Sequence, residues 1–74
     1  MIGGAEVSVM SRTHFETDWA FGDRVFIDGD RSIKGTITGF EFFAEYPHFA
    51  RVEWIHDGQP RKDDIQLYRL SKAE

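Results

Sequence analysis

Residues 50–58 read ARVEWIHDG. Ala50, Val52 and Trp54 alternate with Arg51, Glu53 and Ile55, so an extended chain turns the first set to one side and the second to the other. Asp57 and Gly58 then supply the dipeptide that closes a two-residue hairpin. The same period of two recurs on both sides, as GDRVFID over residues 22–28, KGTITGF over 34–40 and IQLYRL over 65–70. Helical periodicity is weak throughout. The pattern predicts successive short strands joined by tight turns.

Working outward from that strand fixes the remaining elements. Val25 and Ile27 share the inward face of a first strand over residues 23–28, which leaves Phe26 outward beside Arg24 and Asp28. Asp28, Gly29 and Asp30 read as a turn. A second strand covers residues 32–43. Its apolar phase slips after Gly39, from Ile33 and Ile37 to Phe40 and Phe42, which predicts a β-bulge at Gly39 and a bent strand. Pro47, which has no N–H to donate, marks the following loop over residues 44–47. The third strand spans residues 48–56, and a polar fourth strand covers 59–62. Asp63 and Asp64 suggest the cap of a single 3₁₀ turn before a closing strand at 67–70. Trp19 and Phe21 are expected together on one face, closing an end of the core, the alternative being an exposed aromatic ligand contact. The expected core is Val25, Ile27, Ile33, Ile37, Phe40, Val52, Trp54, Ile65, Leu67 and Leu70, with Trp54 its largest member.

Seventy-four residues make at most one domain. Three segments are expected: a weakly ordered, flexible N-terminal lead over residues 1–18, a folded unit over 19–70, and a frayed C-terminus over 71–74. Met10, inside the lead, offers an alternative start. There is no cysteine, so the chain has neither disulfides nor thiolate metal sites, as suits a reducing compartment. Seven Phe, two Trp and two Tyr, 15% of the residues, supply the packing area that so short a chain needs. The formal net charge of −4 is evenly spread: residues 21–70 carry seven basic and nine acidic side chains, a net of −2. No basic module hides behind an acidic tail, and bulk charge does not favour nucleic acid. Without an apolar run of membrane-spanning length or the pattern of a signal peptide, a soluble cytoplasmic protein is expected.

The stretch from residue 22 to 70 resembles SH3-like small β-barrels of the KOW and Tudor-like kind. The likeness rests on the opening Gly22, Asp23 and Val25, on the basic-Gly-x-hydrophobic strand of Lys34, Gly35 and Ile37, on Val52, Trp54 and Gly58, and on the late Leu70. The chain also resembles small uncharacterised proteins of bacterial and prophage genomes. The resemblance implies an all-β, single five-stranded SH3-like barrel. It does not fix an activity, because this fold carries RNA, DNA and peptide binders as well as assembly modules. Ribosomal KOW proteins are strongly basic, whereas this chain is acidic.

Catalytic and metal signatures are missing from the sequence. His14, His48 and His56, with Asp57, Asp63 and Asp64, match no metal-ligand spacing. No Ser or Thr sits in a recognisable nucleophile elbow. The chain is therefore read as a non-enzyme with no cofactor. The outward rings carry the functional expectation. Phe26, Phe42, Phe43, Tyr46, Phe49 and Ile55 are expected to form an exposed apolar surface that binds a protein or peptide, or supports self-association. A sharper version is an aromatic cage for a methylated cation, built from Phe43, Tyr46 and Glu45. The alternative is nucleic-acid binding, RNA or DNA, through Arg24, Lys34, Arg51, Arg61 and Lys62 interleaved with rings.

Overall fold

The structure is a computed structural model that describes residues 14–73. Most of the expected N-terminal lead, including Met10, and the last residue lie outside the described residues. Five antiparallel strands follow one another: β1 (Arg24–Ile27), β2 (Asp30–Glu41), β3 (Phe49–His56), β4 (Gln59–Gln66) and β5 (Leu70–Lys72), with a 3₁₀ turn at Leu67–Arg69. They form one sheet in the order β4-β3-β2-β1-β5. The all-β expectation holds. The hydrogen-bonded ladder does not close, because β4 and β5 are its two edges.

Both hairpin turns follow from Asp-Gly dipeptides. Asp28 and Gly29 have φ of 53° and 73°, and Asp57 and Gly58 have 50° and 76°. Positive φ at both central positions is the type I′ signature, whose twist matches that of the flanking strands. Ile27 consequently faces Asp30, and His56 faces Gln59.

One apolar cluster draws on every strand: Val25 and Ile27, Ile37, Ala50 and Val52, Ile65, and Leu70. No second layer covers it among the described residues, and a flat sheet would hold β4 and β5 about 19 Å apart. Burial this complete requires the sheet to curl around the cluster. Two features of β2 permit that. The β2–β3 register shifts between Ile37 and Gly39, so Thr38 is the extra residue of a bulge, where the phase slip predicts one. At Gly35 a Cβ would collide with the Val52 side chain. Glycine is what lets β2 and β3 approach there.

Several expectations need correcting. Phe26 is buried, at 7% exposure, rather than outward. Lys34 and Ser71 flank it across both neighbouring strands. The β1–β2 register breaks beside it, and Arg31 from the skipped stretch lays its guanidinium 4.9 Å from the ring centroid. Alkyl stems and a cation thus cover the outer side of β1. Trp54, expected deep in the core, is half-buried. It faces Arg61, where β4 offers no apolar partner. Ile33, Phe40 and Leu67 likewise pack only partly against the cluster. Trp19 and Phe21 separate: Trp19 packs on the core, whereas Phe21 is 72% exposed.

The chain's final third also differs. Asp63 and Asp64 do not cap a turn. They continue β4, Asp64 facing Arg51 and Asp63 facing Val52. The 3₁₀ turn and closing strand therefore fall three to four residues later than the sequence suggests. Residues 71–73, in the segment expected to fray, extend the sheet: Ser71 pairs with Phe26, Lys72 with Val25, and Ala73 is buried with its N–H donated to the Arg24 carbonyl at 2.8 Å.

Gly35→Ala is expected to lower stability by about 1–3 kcal/mol through overpacking. Gly39→Ala, whose Cβ would make only ordinary contact with Arg51, is expected to cost under about 1 kcal/mol. Equilibrium denaturation of the two variants side by side measures the difference, and equal losses would remove the close-approach argument.

Candidate functional site

The end of the sheet where β2 runs out and β3 begins carries a connected set of rings. Phe15 stacks on Phe42 with centroids 4.8 Å apart, Phe42 stacks on Phe40 at 5.7 Å, and Phe40 meets Phe21 at 5.2 Å. His48 stands edge-on to Phe15, Phe42 and Tyr46 at 5.0, 5.3 and 5.6 Å. Tyr46 lies 6.2 Å from Tyr68. Stacked and edge-to-face pairs at these separations are the favoured aromatic geometries. Outward from β3, Phe43 and Phe49 form a separate T-shaped pair at 5.8 Å.

Local structure explains the gathering. Beyond the bulge, the end of β2 carries Phe40 one residue out of phase with Ile37, and the chain just past the strand stacks Phe42 on it. The chain then turns through a cis Tyr46–Pro47 bond. The Phe43 N–H donates to His48 Nδ1 at 3.2 Å, which fastens the loop to its own far end and leaves the imidazole edge against the rings. Tyr68 arrives from the 3₁₀ turn, held at several points. The Leu67 N–H donates to the His48 carbonyl at 3.0 Å and the Asp28 N–H to the Arg69 carbonyl at 2.8 Å. Arg69 also grips both carboxylate oxygens of Asp28, with Nη2 to Oδ2 at 2.6 Å and Nε to Oδ1 at 3.0 Å, and donates to Gln66 Oε1. These donated hydrogen bonds hold the Asp28 carboxyl below the ordinary aspartate range and raise Arg69 above its own.

The structure sorts the six expected binding residues into three places. Phe42, Phe43, Tyr46 and Phe49 lie at the aromatic end. Phe26 is buried in β1, apart from them. Ile55 is 68% exposed but stands six residues along β3 from Phe49, about 20 Å away. The cage pairing does not form directly, since Phe43 turns to Phe49 and Tyr46 to His48 and Tyr68. Sequence reasoning missed Phe15, His48 and Tyr68 as members of this surface, and held an exposed Phe21 only as the second reading beside core closure. Tyr68 had a readable signal: the apolar spacing widens from two to three between Leu67 and Leu70, which marks the 3₁₀ turn and throws Tyr68 outward. Phe15, in the lead, had none.

The expected cationic set also divides. Arg24, Lys34 and Arg61 line one groove of about 510 Å³ with Trp54, Ile55 and Pro60. Arg51 lies elsewhere, its Nε 3.1 Å from Asp64 Oδ1, and this hydrogen bond raises its pKa. Lys62 adjoins the groove opposite Glu53. Among the described residues no group of three His, Asp or Glu side chains is placed to hold a metal ion, and no helix is long and apolar enough to cross a membrane.

Comparison with known proteins returned no match to a family model, to a curated protein or to a solved structure.

Because Arg69 lowers the folded-state pKa of Asp28, the clasp contributes stability above the unfolded aspartate value of about 3.9 and loses it as the pH falls through the folded value. Asp28→Asn keeps a residue that tolerates positive φ but removes the charge. It is expected to be less stable than the parent at neutral pH, with the gap closing in strong acid. Thermal melts across that range measure this, and a gap independent of pH would show that the carboxylate charge does not matter.

Proposed function

We propose that this chain is a non-catalytic interaction module, an SH3-like small barrel whose aromatic end binds a protein or peptide. The strand succession supports the barrel assignment: four strands in hairpin order, a 3₁₀ turn, then a short fifth strand beside the first. So does the single cluster to which every strand contributes. In this reading the protein needs no cofactor, and its lack of cysteine suits the cytoplasm.

The observation that carries the binding reading is the state of the rings. Phe15, Phe21, Phe43, Tyr46 and Tyr68 are all exposed at or beside one connected aromatic array, the two tyrosines at 62% and 66%. Rings already packed against one another lose little conformational freedom on binding, and each offers a large apolar area. Tyrosines at such positions are frequent anchors, giving apolar contact from the ring and a hydrogen bond from the hydroxyl. A soluble monomer seldom leaves an apolar surface of this kind without a use. Nucleic-acid binding has less support, because Arg51 is engaged by Asp64 and the chain's net charge is negative.

Tyr46→Ser combined with Tyr68→Ser is expected to reduce partner capture about tenfold or more. Gln59→Ala, at the start of β4, is expected to leave it unchanged. Quantitative affinity capture with folded variants tests this, and identical recovery from both would overturn the reading. Light scattering against concentration separates a foreign partner from a second copy of the chain.

A further inference from the structure

We propose that the groove at the other end of the sheet is a second docking site, of different chemistry, for an acidic segment of a partner protein carrying an aliphatic anchor. Its lining contains three cations, Arg24 from β1, Lys34 from β2 and Arg61 from β4, against one carboxylate, Glu53. Glu53 is already bound within the sheet, accepting from Thr38 Oγ1 at 2.7 Å, and it faces Lys62 across the β3–β4 ladder. This positive lining belongs to a chain whose net charge is −4. The local sign is therefore opposite to the global one, and it favours a partner segment of negative charge.

The apolar part of the groove narrows the choice. Ile55 and Pro60 are directly opposed across β3 and β4, and both are exposed. They form an aliphatic contact on the side of β3 that also carries Glu53, with Arg24 and Lys34 in the same lining, and an aliphatic side chain of a partner is the complement to it. Nucleic acid would need ring platforms for its bases and an unbroken cationic track for its phosphates. Here the lining ring is Trp54, half-buried against the core, and Glu53 interrupts the track. An extended peptide turns alternate side chains to opposite sides, so carboxylates and an apolar anchor can meet the cations and Ile55 in turn. The site lies about 20 Å along β3 from the aromatic end. It does not depend on that surface.

Fluorescence anisotropy of a short labelled peptide of alternating glutamate and leucine, at low salt, tests the assignment, with a lysine–leucine peptide and an oligothymidylate of matched length as comparison arms. The acidic peptide is expected to bind and the basic one not to. Arg24→Glu with Arg61→Glu is expected to weaken binding about tenfold, and Ile55→Ser severalfold, with the melting transition retained. If charge reversal prevents folding, Arg61→Gln is expected to lower affinity in the same direction. Absence of acidic-peptide binding, equal affinity in the groove variants, or tighter binding of the oligothymidylate would overturn the proposal. So would a change in oligomeric state on charge reversal, which would give the groove to a second copy of the chain.

Discussion

A single sheet with no second layer among the described residues has to cover its own apolar face, and the rest of this structure follows from that requirement. The buried side chains are few and mostly aliphatic, and every strand supplies at least one. They reach near-zero exposure only because the sheet curls, and the curl is local in origin. Gly35 brings two backbones together, the extra residue at Thr38 bends β2, and two Asp-Gly turns impose the strand twist. Bending β2 also sets the surface. The phase slip that completes the interior on one side of the bulge turns Phe40 and Phe42 toward the ring cluster on the other.

Much of this was legible because a period of two is hard to disguise. Val25, Ile37, Val52 and Ile65 are inward in both the sequence and the structure. The bulge was legible as a change of phase, and the turns as dipeptides that accept positive φ. What failed did so where alternation stops predicting burial. Phe26 is inward by neither side of the pattern, yet a register break brings Arg31 over it. Trp54 obeys the alternation, but burial also requires an apolar neighbour on the next strand, and β4 supplies Arg61. Asp63 and Asp64 look like punctuation, whereas cross-strand pairing keeps them extended.

The surface was half legible for the same reason. Alternation separates outward from inward, but not one end of a strand from the other. Phe49 and Ile55 share a side of β3 and serve different regions of the molecule. Members drawn from distant sequence, Phe15 before the sheet and Tyr68 after it, come together only through the loop fastened by His48 and the clasp between Arg69 and Asp28. The two ends of β3 thus offer different chemistries, rings at one and cations with an aliphatic contact at the other.

Among the described strands, β1 alone has three consecutive buried apolar residues, Val25, Phe26 and Ile27. It lies between β2 and β5, so one of its two partners is the last of the described strands to be synthesised. During translation this triplet emerges first among the described strands and stays without its second neighbour until residues 70–72 follow. Its backbone edge and its phenylalanine are then the parts of the nascent chain most open to the wrong partner. Such first-to-last pairing also ties productive assembly to contacts distant in sequence, which slows it relative to a fold of local hairpins alone.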